Sequence, residues 1–278
     1  MNAAVPEIML NNGNPIPQFG IGVFQVRPAE TADAVSAALK AGYRHVDTAQ
    51  MYGNEKEVGE AIGRSGLARS EVFVTTKLSN DSHRPDDARA AFEASLKALS
   101  SDYVDLFLIH WPLPTRYDGD FVSTWQALEE FYREGRARSI GVSNFQPHHL
   151  RRLHSQCQIT PAVNQFEVHP YLTQSELRGF CADHQIAVEA WSPLARGRVL
   201  GDPAITSIAG RVGKTPAQVV LRWHIQRGDI VFPKSVSPAR IKENIGIFDF
   251  ELTADDIAAI SALNRNERTG PDPDRFAG

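Results

Sequence analysis

The chain has 278 residues, 42% hydrophobic and 22% charged, with a formal net charge of −4 at pH 7. That balance suits a globular domain and excludes a disordered or fibrous chain. The mild acidity argues against a nucleic-acid surface, and no apolar run reaches membrane-spanning length. The start, MNAAVPEIML, lacks the basic and long apolar segments of a signal peptide. Cys157 and Cys181 form no CxxC pair and fit reduced thiols. A cytoplasmic monomer that engages neither membrane nor nucleic acid is expected.

Residues 7–17 (EIMLNNGNPIP) place an NNGN turn between extended pieces, which predicts a β-hairpin. Eight strand-like runs follow: 19–24, 43–46, 72–76, 104–109, 137–142, 162–166, 186–191 and 229–232. Helical segments lie between them. Residues 28–41 open with Pro28, Glu30 and Asp33 and stop at Gly42. Residues 54–64 begin with Asn54 and Glu57 at capping-box spacing. Residues 215–227 start Thr215-Pro216 with Gln218 in the first turn, and 253–263 carry Thr253 as cap with Ile257, Ile260 and Leu263 on one face.

Several strands are apolar on both faces, as parallel strands covered by helices must be. Eight of them alternating with helices predict a single α/β domain over 1–278, a (β/α)8 TIM barrel with an N-terminal hairpin and extra helices near the C-terminus. A doubly wound sheet would carry GxGxxG after an early strand. Here Gly20 and Gly22 give GxG, but Gln25 stands third, so these glycines fit close backbone packing instead.

In a barrel, chemistry sits where strands end. Strand two ends at Asp47, strand three at Lys77 in EVFVTTKL, strand four at His110 in FLIHWP, and Tyr52 follows Asp47 by five residues. A lysine beside a buried strand is costly unless paired. Asp47 would pair with Lys77, and the Lys77 charge would lower the pKa of Tyr52, turning a sluggish proton donor into a useful one. His110 could hydrogen-bond and orient a substrate oxygen. Together these protonate a carbonyl oxygen as hydride reaches its carbon. No activated nucleophile for hydrolysis is evident.

Hydride transfer needs a cofactor. In PKSVSPARIKEN (233–244), Ser237 can cap a helix with Pro238 first, and Lys234, Ser235 and Arg240 offer charge and hydrogen bonds to a phosphate. Three such groups favour the 2′-phosphate of NADPH over NADH. Trp191 offers a face for the nicotinamide ring, and Ser143, Asn144 and Gln165 offer partners for its carboxamide.

The blocks GIGVFQV, GYRHVDTAQMYGNE, VFVTTKL, DLFLIHWP, SIGVSNF, AVNQFEVHP and VFPKSVSPARIKEN, in that order, resemble those of the aldo-keto reductase superfamily nearly end to end, most of all its bacterial 2,5-diketo-D-gluconate reductase-like branch. The resemblance implies a (β/α)8 barrel binding NADP(H), with a tetrad matching Asp47, Tyr52, Lys77 and His110 and Tyr52 as proton donor. Cofactor positions match Ser143, Asn144, Gln165, Trp191, Ser192, Leu194, Lys234, Ser235, Val236, Arg240, Glu243 and Asn244, to which Gly22, Val23 and Phe232 are added. It implies reduction of aldehydes, ketones and dicarbonyls such as 2,5-diketo-D-gluconate-like or methylglyoxal-like compounds. The short segment after Trp191 and the short tail suggest an open pocket walled by Phe24, Tyr52, His110 and Trp111. Arg268 and Arg275 in the tail could meet an anionic substrate, but read first as solvated charges.

Two other readings remain open. Some relatives are regulatory subunits that bind the cofactor with little turnover. A metal-dependent hydrolase would use His110, His169 and Glu167, of which the last two share a strand face; the main reading expects no metal.

Overall fold

A computed structural model describes residues 5–278; the first four, where the expected domain and the MNAAVPEIML segment begin, lie outside the described residues. The hairpin pairs β1 (Glu7–Met9) with β2 (Pro15–Pro17). Eight parallel strands follow: β3 (Ile21–Gly22), β4 (His45–Asp47), β5 (Phe73–Leu78), β6 (Leu106–Ile109), β7 (Ile140–Ser143), β8 (Val163–Glu167), β9 (Ala187–Trp191) and β10 (Ile230–Val231). They lie side by side in chain order, and parallel bridges Phe19–Val231 and Gly22–Lys234 join the last to the first. The sheet is therefore the expected (β/α)8 barrel.

The closure explains the glycines. A Cβ on Gly20 would lie 2.8 Å from the His45 carbonyl oxygen, and one on Gly22 would lie 2.6 Å from that of Phe232. Only glycine lets the strands meet there.

The helices are α1 (Pro28–Lys40), α2 (Glu55–Arg64), α3 (Pro85–Leu99), α4 (Val122–Arg133), α5 (Pro147–Gln156), α6 (Ser175–Asp183), α7 (Pro203–Val212), α8 (Pro216–Gln226), α9 (Pro238–Ile245) and α10 (Ala254–Ser261). Thr215 and Thr253 cap α8 and α10 with reciprocal bonds to Gln218 and Asp256. The capping box expected at Asn54 is not formed. Asn54 accepts from the Thr48 hydroxyl (2.9 Å) and donates to the carbonyls of Val23 (3.0 Å) and Val26 (3.2 Å), tying the loop after β3 to that after β4.

Alternation along the strands divides the apolar side chains into two cores. Outward residues such as Phe107, Val142 and Phe166 pack under Phe92, Trp125 and Phe131 of the helices. Inside, Phe73, Leu106, Leu108, Val163 and Ile230 fill the lower barrel, and Leu10 and Ile16 of the hairpin plug it. The interior is thus a packed core closed from below, so its polar end opens only where the strands finish. Cys157 and Cys181 are unpaired. Among the described residues no helix is long and apolar enough to cross a membrane.

Candidate active site

Asp47 ends β4, Lys77 lies one residue from the end of β5, and His110 follows β6. The parallel register brings them to one rim. Lys77 is fully buried. Its ammonium donates to Asp47 Oδ1 (2.7 Å) and Oδ2 (2.8 Å), to the Thr48 carbonyl (2.8 Å) and to Tyr52 Oη (3.4 Å). That exhausts its protons, so the buried cation is paired and satisfied.

Tyr52 ends a short 3-10 turn, Gln50–Tyr52, closed by Gly53 at φ 64°. Gln50 clamps this turn. Its amide nitrogen donates to Ala91 O (2.7 Å) and Ser95 Oγ (2.8 Å) of α3, and its oxygen accepts from the Ser79 amide (2.6 Å) beyond β5. The Tyr52 ring stands between Phe24 (centroids 5.1 Å apart) and His110 (5.8 Å).

The electrostatics differ from expectation in one respect. Burial is the largest influence on the Tyr52 phenol and raises it above its ordinary value; the Lys77 charge pulls it back but does not win. Lys77 therefore moderates a raised pKa instead of producing a lowered one. Burial is the largest single influence on the Lys77 ammonium too and works against it, but the Asp47 charge and hydrogen bond together with Tyr52 outweigh it and keep the ammonium protonated. Burial pushes the Asp47 carboxyl up, opposed by Lys77 and the Gln165 amide. His110 lies well below its ordinary value, through burial and then the Lys77 charge, so its imidazole is neutral. Its Nδ1 is buried without a partner.

The residues expected to meet a nicotinamide carboxamide are partly committed to one another. Asn144, at φ 66°, donates to the His110 carbonyl (2.9 Å) and Ser143 Oγ (3.1 Å), and its oxygen accepts from Trp191 Nε1 (2.8 Å). Ser143 donates to the Gln165 carbonyl (2.8 Å). Gln165 donates to Asp47 Oδ2 (2.9 Å) and Glu189 Oε2 (2.8 Å), while its amide oxygen has no partner among the described residues. Ser192 (φ 52°) and Leu194 follow in the turn after β9.

At the seam of the barrel, Ser237 caps α9, accepting from the Arg240 amide (3.5 Å), with Pro238 in the first turn. Lys234, Val236 and Arg240 are exposed, Phe232, Ser235 and Asn244 buried. Neither Lys234 nor Arg240 has an ion-pair partner among the described residues. Glu243 accepts from the Thr215 hydroxyl (2.9 Å), so it braces α9 against α8. Two unpaired cations, a capped helix start and a free amide oxygen on the same rim fit a phosphorylated nicotinamide cofactor.

The tail does more than its length suggests. Thr269 donates to Glu167 through its amide (2.6 Å) and hydroxyl, Gly270 packs against the Trp191 indole, and Phe276 packs on Trp111 in a tilted pair with centroids 4.3 Å apart. Phe276 thus covers Trp111, one of the residues expected to wall the pocket. Arg275 is 87% exposed as expected, whereas Arg268 is half-buried. His169 bonds Glu167 (3.0 Å), which anchors the tail; these two hold structure and do not join His110 in a metal-ligand group.

Residues 17–265 match the aldo/keto reductase family. The chain is 54% identical to an aldo-keto reductase of Mycolicibacterium smegmatis over 271 residues, 98% of both chains. It is 49% identical to the glyoxal reductase of Bacillus subtilis over 97% of this chain and 96% of that one. The crystal structure of a Bombyx mori aldo-keto reductase in complex with NADP, 41% identical, superimposes with a TM-score of 0.90 over 96% of this chain and 95% of that one.

Proposed function

The chain belongs to the aldo/keto reductase family, and from that premise we propose that it reduces small dicarbonyls of the glyoxal type, with Tyr52 giving the proton. It is an NADP-dependent oxidoreductase that reduces carbonyl groups. Bound NADPH supplies the hydride. Lys234 and Arg240, with Ser235 and the capped start of α9, would hold the 2′-phosphate and adenosine end; Trp191 and the free oxygen of Gln165 would hold the nicotinamide end. Gly22, Val23, Phe232, Leu194 and Asn244 would complete the lining of that cofactor site.

The observation that carries the reading is the Lys77 ammonium set between Asp47 and Tyr52 Oη. Tyr52 is protonated at neutral pH, and burial raises its pKa further. Transfer of its proton to a developing alkoxide leaves a tyrosinate, and the adjacent cation stabilises that charge as it forms. The neutral His110 imidazole has one N–H to orient the carbonyl oxygen. Phe24 and Trp111, with Phe276 against Trp111, would wall the site around a small, compact substrate.

Steady-state assays with glyoxal and methylglyoxal, NADPH and NADH side by side, test this. Wild type should turn over with NADPH, and Tyr52→Phe should lose about 10²–10⁴-fold in kcat while binding NADPH as before. A Tyr52→Phe variant with wild-type kcat would remove Tyr52 as donor.

A further inference from the structure

Beneath the rim lies an acid that the proposed reaction does not use. Glu189 sits mid-strand on β9, wholly buried, with Gln165 opposite on β8 and Ile230 opposite on β10. The Gln165 amide nitrogen is divided between two acids: it donates to Asp47 Oδ2 at 2.9 Å and to Glu189 Oε2 at 2.8 Å. The charged and titratable groups around Glu189 are His45 and Asp47 on β4, Lys77 on β5 and Tyr52 beyond them; β10 and β8 bring none. Lys77 spends its protons on Asp47, Thr48 and Tyr52, and none reaches Glu189.

His45 fixes the last neighbour. Its Nδ1 faces the Pro17 carbonyl at 3.3 Å, which can only accept, so Nδ1 carries the ring proton. Its Nε2 is then a lone pair, 3.0 Å from the Thr75 hydroxyl and 3.7 Å from Glu189 Oε1. Burial pushes the His45 pKa down to about 3, so the ring takes up no second proton near neutrality. Glu189 Oε1 is itself buried without a hydrogen-bond partner. An ionised oxygen facing a lone pair in a closed interior would be unfavourable twice over; a proton on Oε1 relieves both faults.

We propose that Glu189 is a positioning residue that carries a proton in the working enzyme, holding Gln165 against Asp47, and that its ionisation turns the Asp47–Lys77–Tyr52 group down. With Glu189 neutral, the interior balances one cation against one carboxylate. Ionised, it places a second negative charge beside Asp47. That charge competes for Lys77 and holds the Tyr52 proton more tightly, so Tyr52 becomes a poorer donor. Burial, then the Asp47 charge, pushes the Glu189 carboxyl up to about 8, within the range an assay can cross.

The inference rests on the proposed reaction, so the test has one arm without turnover. Glu189→Gln keeps the shape of the protonated acid: its oxygen accepts from Gln165, and its amide points at His45 Nε2. The Glu189 pKa rises from 4.5 unfolded to about 8 folded, so wild type loses stability relative to Glu189→Gln across that window as pH rises. The melting-temperature difference should grow in favour of Glu189→Gln up to about pH 8 and then level off. In turnover with methylglyoxal, the ratio of kcat/KM of Glu189→Gln to wild type should climb about tenfold between roughly pH 7 and pH 9. At pH 7, Glu189→Ala, which orphans one Gln165 N–H, should fall about tenfold below Glu189→Gln in kcat. A pH-independent melting difference, superimposable pH profiles, or equal kcat for the Ala and Gln variants would each overturn it. Absence of any wild-type turnover would count against the proposed reaction, and the melts would still decide whether Glu189 holds a proton.

Discussion

Lys77 has no water to turn to. Its ammonium is buried, and two carboxylate oxygens, a carbonyl and a phenol surround it. Removing it alone would leave Asp47 buried and unpaired, at about 3–5 kcal/mol of stability. The cleaner experiment removes both charges. Lys77→Met with Asp47→Asn should fold, bind NADPH within a few-fold of wild type by fluorescence titration, and lose about 100-fold or more in kcat. In the alcohol-oxidation direction, where tyrosinate is the reactive form, the rising limb of the pH profile should move upward. Burial already raises the Tyr52 pKa; the double change removes both the lowering Lys77 charge and the raising Asp47 charge, and because Lys77 is the larger influence and also hydrogen-bonds the phenol, the net shift is upward. A double variant with the wild-type profile would leave Lys77 a structural role only. At this scale the sequence was informative wherever a residue's chemistry is unusual for its place, as with a lysine closing a hydrophobic strand. It was silent about Glu189 and Gln50, because their meaning lies in partners far along the chain: Gln165 meets Asp47 across 118 residues. The net direction of the Tyr52 shift was equally hidden, since it depends on burial.

Strand and helix endings position these groups, and they are written in the sequence unevenly. All eight barrel strands lie within or beside the expected runs, but several are shorter, such as Ile21–Gly22 inside 19–24 and Ile230–Val231 inside 229–232. Closure explains this: at the seam the ladder reduces to single bridges around Gly20 and Gly22. Thr215 and Thr253 signalled helix starts because a hydroxyl followed by an acceptor three residues on satisfies two free amides. Asn54 carried the same signal, yet tertiary partners on the loop after β3 took its amide. None of α3 to α7 was read from the sequence; in α5 and α6 paired histidines and an internal glycine weaken the pattern. The start of α9 was legible from Ser237-Pro238, and it sets Lys234 and Arg240 on the rim. Each charge-assisted phosphate contact contributes about 1.5–3 kcal/mol. Arg240→Ala should therefore raise KM for NADPH by about 10–100-fold and leave KM for NADH within a few-fold, with Lys234→Ala in the same direction. Equal losses for both cofactors would place the 2′-phosphate elsewhere.

Across the whole molecule, the barrel separates stability from chemistry along its axis. The hairpin residues Leu10 and Ile16 seal an apolar lower layer, and the polar groups gather above it. The open end is then finished by the tail, which passes Glu167 and Trp191, pairs Asp274 with His148 (3.2 Å), packs Phe276 on Trp111 and gives the Ala277 carbonyl to Arg116 (3.3 Å). Composition could not announce this. A segment rich in Pro, Gly and charge, RNERTGPDPDRFAG, has no periodicity, and its one large apolar side chain matters only because Trp111 lies beneath it. The tail adds nothing to either core, so its outer part should be dispensable for folding but not for substrate. Ending the chain after Gly270 keeps the Glu167 anchor and removes Phe276. The melting temperature should fall by only a few degrees, as loss of about 1.5–3 kcal/mol of apolar burial allows in a chain of this size. KM for methylglyoxal should rise several-fold while KM for NADPH holds, if Phe276, which lies on Trp111 and away from α9, walls the proposed substrate site. Calorimetry and steady-state kinetics on the shortened chain would read both. Unchanged KM for every carbonyl tested would mean that the Phe276–Trp111 pair shields the protein surface and not the substrate.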